Sequence, residues 1–158
     1  MSTDLSDLVS PDLVVVGLPA TTKKALFQQL GSLAAAATSP APDARAVAEA
    51  LAAREKQGST GFGAGIALPH ARLPGLPRIV AMVARLAQPI DMGAVDDQPV
   101  DVIVALLSPP DAGAAHLKAL ARVARRFRDP RFVAKVRGAG SRDAVYALLT
   151  ADETRDAA

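Results

Sequence analysis

Gly65-Ile66-Ala67-Leu68-Pro69-His70 sets a histidine directly after a proline, at the end of an apolar run and beyond a glycine-rich stretch. Proline disfavours the helical region for the residue before it, so Leu68 is pushed towards extended geometry. An apolar run this short, bounded by Gly and Pro, reads as a buried strand over Gly65–Leu68. His70 is then expected where that strand leaves the sheet, held by the backbone with one ring nitrogen open. A histidine at a strand end is, taken alone, more often a surface or hydrogen-bonded structural residue. Its surroundings change the weighting, because Arg54, Glu55, Gly58, Ser59, Thr60, Gly61, Gly63 and Gly65 all lie just upstream.

Working outward, Leu13-Val14-Val15-Val16 is short and β-branched and reads as a strand. Thr21 or Thr22 can cap a helix to about Ala37, with an apolar face of Leu26, Phe27, Leu30, Leu33, Ala34 and Ala37. Asp43 can cap an alanine-rich helix to about Gln57. Further strands are expected at Ile79–Leu86 and Val100–Leu107. A helix follows over about Ala112 to Arg128, with Leu117, Leu120, Ala121 and Ala124 as its buried side. Asp129-Pro130 starts another helix that Gly138 and Gly140 end. Ser141 can cap a last one to Leu149. Helices alternate with apolar strands, so the expected class is α/β, a mixed β-sheet flanked by helices on both faces.

The composition bounds what this fold can do. At 158 residues the chain is long enough for one domain with a substantial core. One domain over residues 1–158 is expected, ordered over about 5–150 with a polar tail at 151–158. Half the residues are apolar, aromatics are 3%, and there is no tryptophan, so Ala, Val, Leu and Ile must build the core. The formal charge of +2 does not compel nucleic-acid binding. The absence of cysteine excludes disulfides, thiolate metal sites and cysteine nucleophiles. Met1 to Pro11 carries two aspartates, Asp4 and Asp7, and no basic region, unlike a secretory signal. No apolar stretch approaches the roughly 20 residues that cross a bilayer, so no membrane insertion and a cytoplasmic location are expected.

The stretch Arg54-Glu55-Lys56-Gln57-Gly58-Ser59-Thr60-Gly61-Phe62-Gly63-Ala64-Gly65-Ile66-Ala67-Leu68-Pro69-His70 resembles a known signature. It is similar to the phosphorylation site of enzyme IIA domains of the bacterial phosphoenolpyruvate-dependent phosphotransferase system, type 2 (fructose/mannitol/nitrogen-regulatory). The Arg-Glu pair, the Gly-Ser-Thr step and the Gly-Ile-Ala-Leu-Pro-His block carry the likeness, which extends over nearly the whole chain. The resemblance implies the family's enzyme IIA fold and a protein-histidine phosphocarrier, with His70 accepting a phosphoryl group from an HPr-type phosphocarrier protein. It implies modification at Nε2 and needs no cofactor. It also places His116, in Ala115-His116-Leu117, in the site as an orienter or phosphate contact. A helical histidine beside a leucine stripe is otherwise more often structural. Leu13-Val14-Val15-Val16 followed by Thr22-Lys23-Lys24-Ala25-Leu26 is more like the nitrogen-regulatory branch, in which phosphorylation governs binding to regulatory target proteins. A sugar-transport role passing phosphate to a separate enzyme IIB is the alternative. Ala71-Arg72 and the Leu73-Pro74-Gly75-Leu76-Pro77 loop depart from commoner family sequences.

The residues permit this chemistry. Neutral imidazole is a nucleophile, and an unperturbed pKa of about 6.5 leaves it mostly neutral near pH 7. The charge on a transferring phosphoryl group needs donors held in place. Gly58, Ser59, Thr60 and Gly61 can expose backbone N–H groups and hydroxyls as a phosphate-binding nest. Arg54 adds a planar donor fork. The same residues taken without His70 read as a tight turn and a solvated helix end. Asp96, Asp97 and Asp101 read as structural; no His pair at i, i+4 and no compact carboxylate cluster favours a metal. Arg122, Arg125, Arg126, Arg128 and Arg131 read as a solvated helix face. Two rival classes stand beside the phosphocarrier: a binding module whose His70 is never phosphorylated, and a His/Asp metallohydrolase.

Overall fold

The structure is a computed structural model that describes residues 4–151. Residues 152–158 of the expected polar tail, and Met1 to Thr3, lie outside the described residues. In chain order the elements are a 3₁₀ turn (Pro11–Leu13), β1 (Val14–Leu18), α1 (Lys23–Ala37), α2 (Ala44–Lys56), β2 (Gly61–Gly63), β3 (Ile66–Ala67) and β4 (His70–Arg72). They continue with β5 (Val80–Ile90), β6 (Val100–Ser108), α3 (Ala114–Phe127), α4 (Pro130–Gly138) and α5 (Arg142–Thr150).

The helix starts follow from side-chain caps. Thr22 accepts from the Ala25 amide, Asp43 from Arg45, Asp129 from Arg131 and Ser141 from Ala144, each satisfying an amide that has no partner inside its helix. The six strands form one mixed sheet in the order β1-β5-β6-β3-β2, with β4 also paired to β6. β1 runs parallel to β5, β5 antiparallel to β6, and β3 and β4 both parallel to β6. Val102 to Ser108 of β6 are buried without interruption, so both faces of the sheet are covered by helices. One continuous core runs from Leu5 to Leu149, dominated by Val, Leu, Ile and Ala.

β3 and β4 are one strand interrupted at Leu68-Pro69. Ile66 and Ala67 pair with Val102 and Ile103, and His70 to Arg72 pair with Leu106 to Ser108. The expected single strand over 65–68 is therefore shorter, and a second begins at the histidine itself. Pro69 has no N–H to give to the ladder, yet its carbonyl still accepts from the Leu106 amide at 2.9 Å. Gly65 precedes the pair at φ +80°, and a Cβ there would run into the Arg137 guanidinium and the Asp101 carboxylate.

Two expectations about α3 are corrected. Its buried residues are His116, Ala119, Val123, Arg126 and Phe127, whereas Leu117 is 64% exposed and Ala121 is exposed. The helix is turned by one residue, about 100°, from the anticipated phase. Nor is the arginine run uniformly solvated. Arg126 is buried, donates to the Leu148 and Ala151 carbonyls and lies 4.2 Å from the Phe132 ring centroid. Arg122 is half-buried and pairs with Asp7 at 2.7 Å. Arg125, Arg128 and Arg131 are exposed.

Candidate functional site

His70 opens β4 half-buried, with both ring nitrogens engaged. Nδ1 lies 2.9 Å from the Leu68 carbonyl, and Arg54 Nε donates to Nε2 at 3.2 Å. A carbonyl only accepts and a guanidinium only donates. The proton is therefore on Nδ1, and Nε2 carries the lone pair. Burial pushes the His70 pKa below its usual 6.5, and the Arg54 charge adds to it; the Leu68 hydrogen bond and the Glu55 charge oppose.

Arg54 lies in the last turn of α2 and is itself oriented by a bond from Nη1 to the Gly58 carbonyl at 2.9 Å. Its neighbour Glu55 is only 7% exposed, and its carboxylate organises the glycine-rich turn. It accepts from the Thr60 amide at 3.1 Å and the Thr60 hydroxyl at 2.6 Å, and pairs with Lys23 Nζ at 3.0 Å. Ser59 Oγ donates to the Met92 carbonyl at 2.7 Å and accepts from the Gly61 amide at 3.1 Å. The Gly58 amide donates to the Glu55 carbonyl. Gly58, Ser59, Thr60 and Gly61 thus lie beside the site, with these hydroxyls and amides engaged inside the turn.

His116 reaches the site from the first turn of α3. Its ring centroid is 5.9 Å from that of His70, with the planes at 50°. Nδ1 lies 2.6 Å from Ser108 Oγ, at the end of β6 and in register with Arg72. His116 is 6% exposed, and burial lowers its pKa below 6.5, with smaller contributions from the Arg72 and His70 charges. The structure therefore brings together Arg54, His70 and His116 from α2, β4 and α3.

Sequence reasoning did not assign four participants. Glu55 stood in the quoted motif without a role. Ser108 closes an apolar run before Pro109-Pro110, a place where a hydroxyl draws no notice. Arg72 had a usable signal, since residues two apart on a strand share a face. The Leu68 carbonyl is a main-chain group with no side-chain signature. Elsewhere, Asp96 accepts from the Ala64 and Gln98 amides and Asp101 pairs with Arg137 at 2.7 Å, both structural contacts. Among the described residues no group of three or more His, Cys, Asp or Glu side chains could hold a metal ion. No helix among them is long and apolar enough to cross a membrane.

Comparisons with known proteins bear on the family and the fold. The profile of the family described as "Phosphoenolpyruvate-dependent sugar phosphotransferase system, EIIA 2" matches residues 7–152. The chain is 44% identical over 145 residues to a nitrogen regulatory protein of Bradyrhizobium diazoefficiens, covering 92% of this chain and 94% of that one. It is 40% identical over 133 residues to the nitrogen regulatory protein of Escherichia coli K12, covering 84% and 80%. The solved structure of nitrogen regulatory protein IIA-Ntr from Neisseria meningitidis superposes with a TM-score of 0.84 at 33% identity, covering 91% of this chain and 97% of that one. With its matched profile, its fold and its relatives in accord, this chain belongs to the type 2 enzyme IIA family of the phosphoenolpyruvate-dependent sugar phosphotransferase system.

Proposed function

We propose that the chain acts as one cytoplasmic phosphocarrier unit that accepts a phosphoryl group on His70 Nε2 from an HPr-type phosphohistidine protein, and that its phosphorylation state serves nitrogen regulation. The observation that carries this reading is the pair of contacts on the His70 ring. Leu68 O holds the Nδ1 proton and Arg54 marks the unprotonated Nε2. The Nε2 lone pair attacks phosphorus, and the new P–N bond forms as the donor's P–N bond breaks. The donor imidazole leaves with that bond's electron pair. Positive charge gathering on the His70 ring is met at Nδ1–H by the Leu68 carbonyl. Arg54, released from Nε2, turns its guanidinium to the phosphoryl oxygens.

His116 acts as a positioning partner for the phosphoryl group. When Ser108 Oγ–H donates to Nδ1, the His116 proton resides on Nε2 and makes it a donor. Gly58 supports the phosphate-binding site by fixing Arg54 through its carbonyl, and Ser59, Thr60 and Gly61 hold the turn that carries it. The names of the bacterial relatives support the regulatory role, exercised on regulatory target proteins; transfer onward to a separate enzyme IIB is the other outlet the family offers.

The test is incubation with phosphoenolpyruvate, enzyme I and an HPr-type protein, followed by intact mass. One acid-labile, alkali-stable phosphoryl group is expected on the wild type and none on His70→Ala. Undiminished labelling of that variant would sink the assignment.

A further inference from the structure

Away from the two histidines, a groove of about 880 Å³ lies between α1 and α2. Its floor is apolar. Ala44, Ala48 and Ala52 form a row at i, i+4 and i+8 along α2, facing Phe27 of α1. Such a volume falls within the range of small-molecule sites, about 300–1,000 Å³. The rim is cationic. Arg45 pairs with Glu49 at 3.1 Å and Lys23 with Glu55 at 3.0 Å. Lys24 and Lys56 line the same groove and leave it with positive charge in excess.

We infer that this groove binds a small organic anion, its apolar body on the alanine row and its carboxylate among Lys23, Lys24 and Lys56. Apolar burial holds the body, and the lysines select the head. The position gives the site a consequence. Glu55 lines the groove and also holds the Thr60 amide and hydroxyl. A carboxylate that draws Lys23 away from Glu55 alters the partner of the group that fixes the turn, one residue from Arg54. Occupancy is thereby felt at His70. This coupling rests on the phosphoacceptor reading of His70, whereas binding in the groove does not.

The test uses 2-naphthoate as probe, titrated into the full isotope-labelled chain and followed by ¹H–¹⁵N and imidazole NMR. A ligand this small is expected to bind with a dissociation constant of about 1 mM. Saturable shifts are expected on residues lining α1 and α2, on the Thr60 amide and on the His70 ring. Replacing Lys24 and Lys56 together by Glu should weaken binding roughly tenfold, since two attractive charges become repulsive. The uncharged 2-naphthylmethanol should bind several-fold more weakly. Ala48→Phe should fill the floor and abolish binding with the thermal transition retained; Ala52→Leu serves if that variant does not fold. No saturable shift by about 10 mM overturns the site. Equal binding by the alcohol, or by the double lysine variant, overturns the anionic class. Groove shifts that saturate while Thr60 and His70 stay still overturn the coupling. None of these readouts depends on phosphorylation, so failure of the phosphotransfer test and failure of this one are distinct.

Discussion

His70 takes its character from what its two ring nitrogens touch. Burial and Arg54 disfavour the imidazolium, so the nucleophilic form dominates at neutral pH. By NMR titration both His70 and His116 are expected to protonate below the usual 6.5. Arg54→Ala removes a neighbouring charge and some burial together, and should move the His70 midpoint upward. The sign carries over to stability. A histidine whose folded pKa lies below its unfolded value binds fewer protons when folded. Its contribution is full above about pH 6.5 and is lost as pH falls through the depressed folded value. Urea midpoints measured from pH 7 down to pH 5 should fall accordingly. In transfer assays, Arg54→Ala should slow phosphorylation by roughly 10²–10³-fold, the loss typical of one positioned donor, with Arg54→Lys only partly restoring it. A wild-type rate in Arg54→Ala would leave the residue as a structural tether. Glu55→Gln keeps the shape but weakens the bonds to Lys23 and Thr60. A loss of about 1–3 kcal/mol in chemical unfolding is expected, because the group is buried.

At the scale of the element, α3 decides whether the second histidine is in the site at all. Two apolar rows run along this helix, one residue apart. Leu117, Leu120 and Ala124 form one; Ala119, Val123 and Phe127, headed by His116, form the other. The helix buries the second row because Phe127 fills core space against Phe132, edge to face with centroids 5.2 Å apart. His116 then meets Ser108 instead of solvent. Phe127→Ala should cost about 3–5 kcal/mol of stability, and Leu117→Ala should stay within about 0.5 kcal/mol. Equal losses in the two variants, measured by urea unfolding, would show that the helix phase is wrong.

Across the whole molecule, the site depends on elements far apart in the chain meeting on one sheet. α1 and α2 are in close contact where Gly31 faces the main-chain carbonyl of Ala44, with no room for a Cβ. Gly31→Ala forces the helices apart and should destabilise the fold by about 1–3 kcal/mol. It should also disturb the Lys23–Glu55 pair that bridges them, visible as a shift of the Thr60 amide. An unchanged melting temperature with an unmoved Thr60 signal would contradict this packing.

Much of this protein was legible before any coordinates. The caps at Thr22, Asp43, Asp129 and Ser141 are local, and so are the β-branched strands and the proline break at Leu68-Pro69. Each is set by interactions among residues a few positions apart, which a sequence displays directly. The resemblance of Arg54 to His70 to the family signature likewise points to those two residues, because the whole motif is contiguous in the chain. Tertiary structure alone decided the rest. The rotation of α3, the burial of Arg126 over Phe132 and the Ser108–His116 contact follow from which surfaces fill the core best. The capture of the turn's hydroxyls and amides by Glu55, Ser59 and Met92 depends on where a folded chain leaves unpaired polar groups. Such outcomes are settled by packing and hydrogen-bond satisfaction between distant segments, and neither is written in the local order of residues.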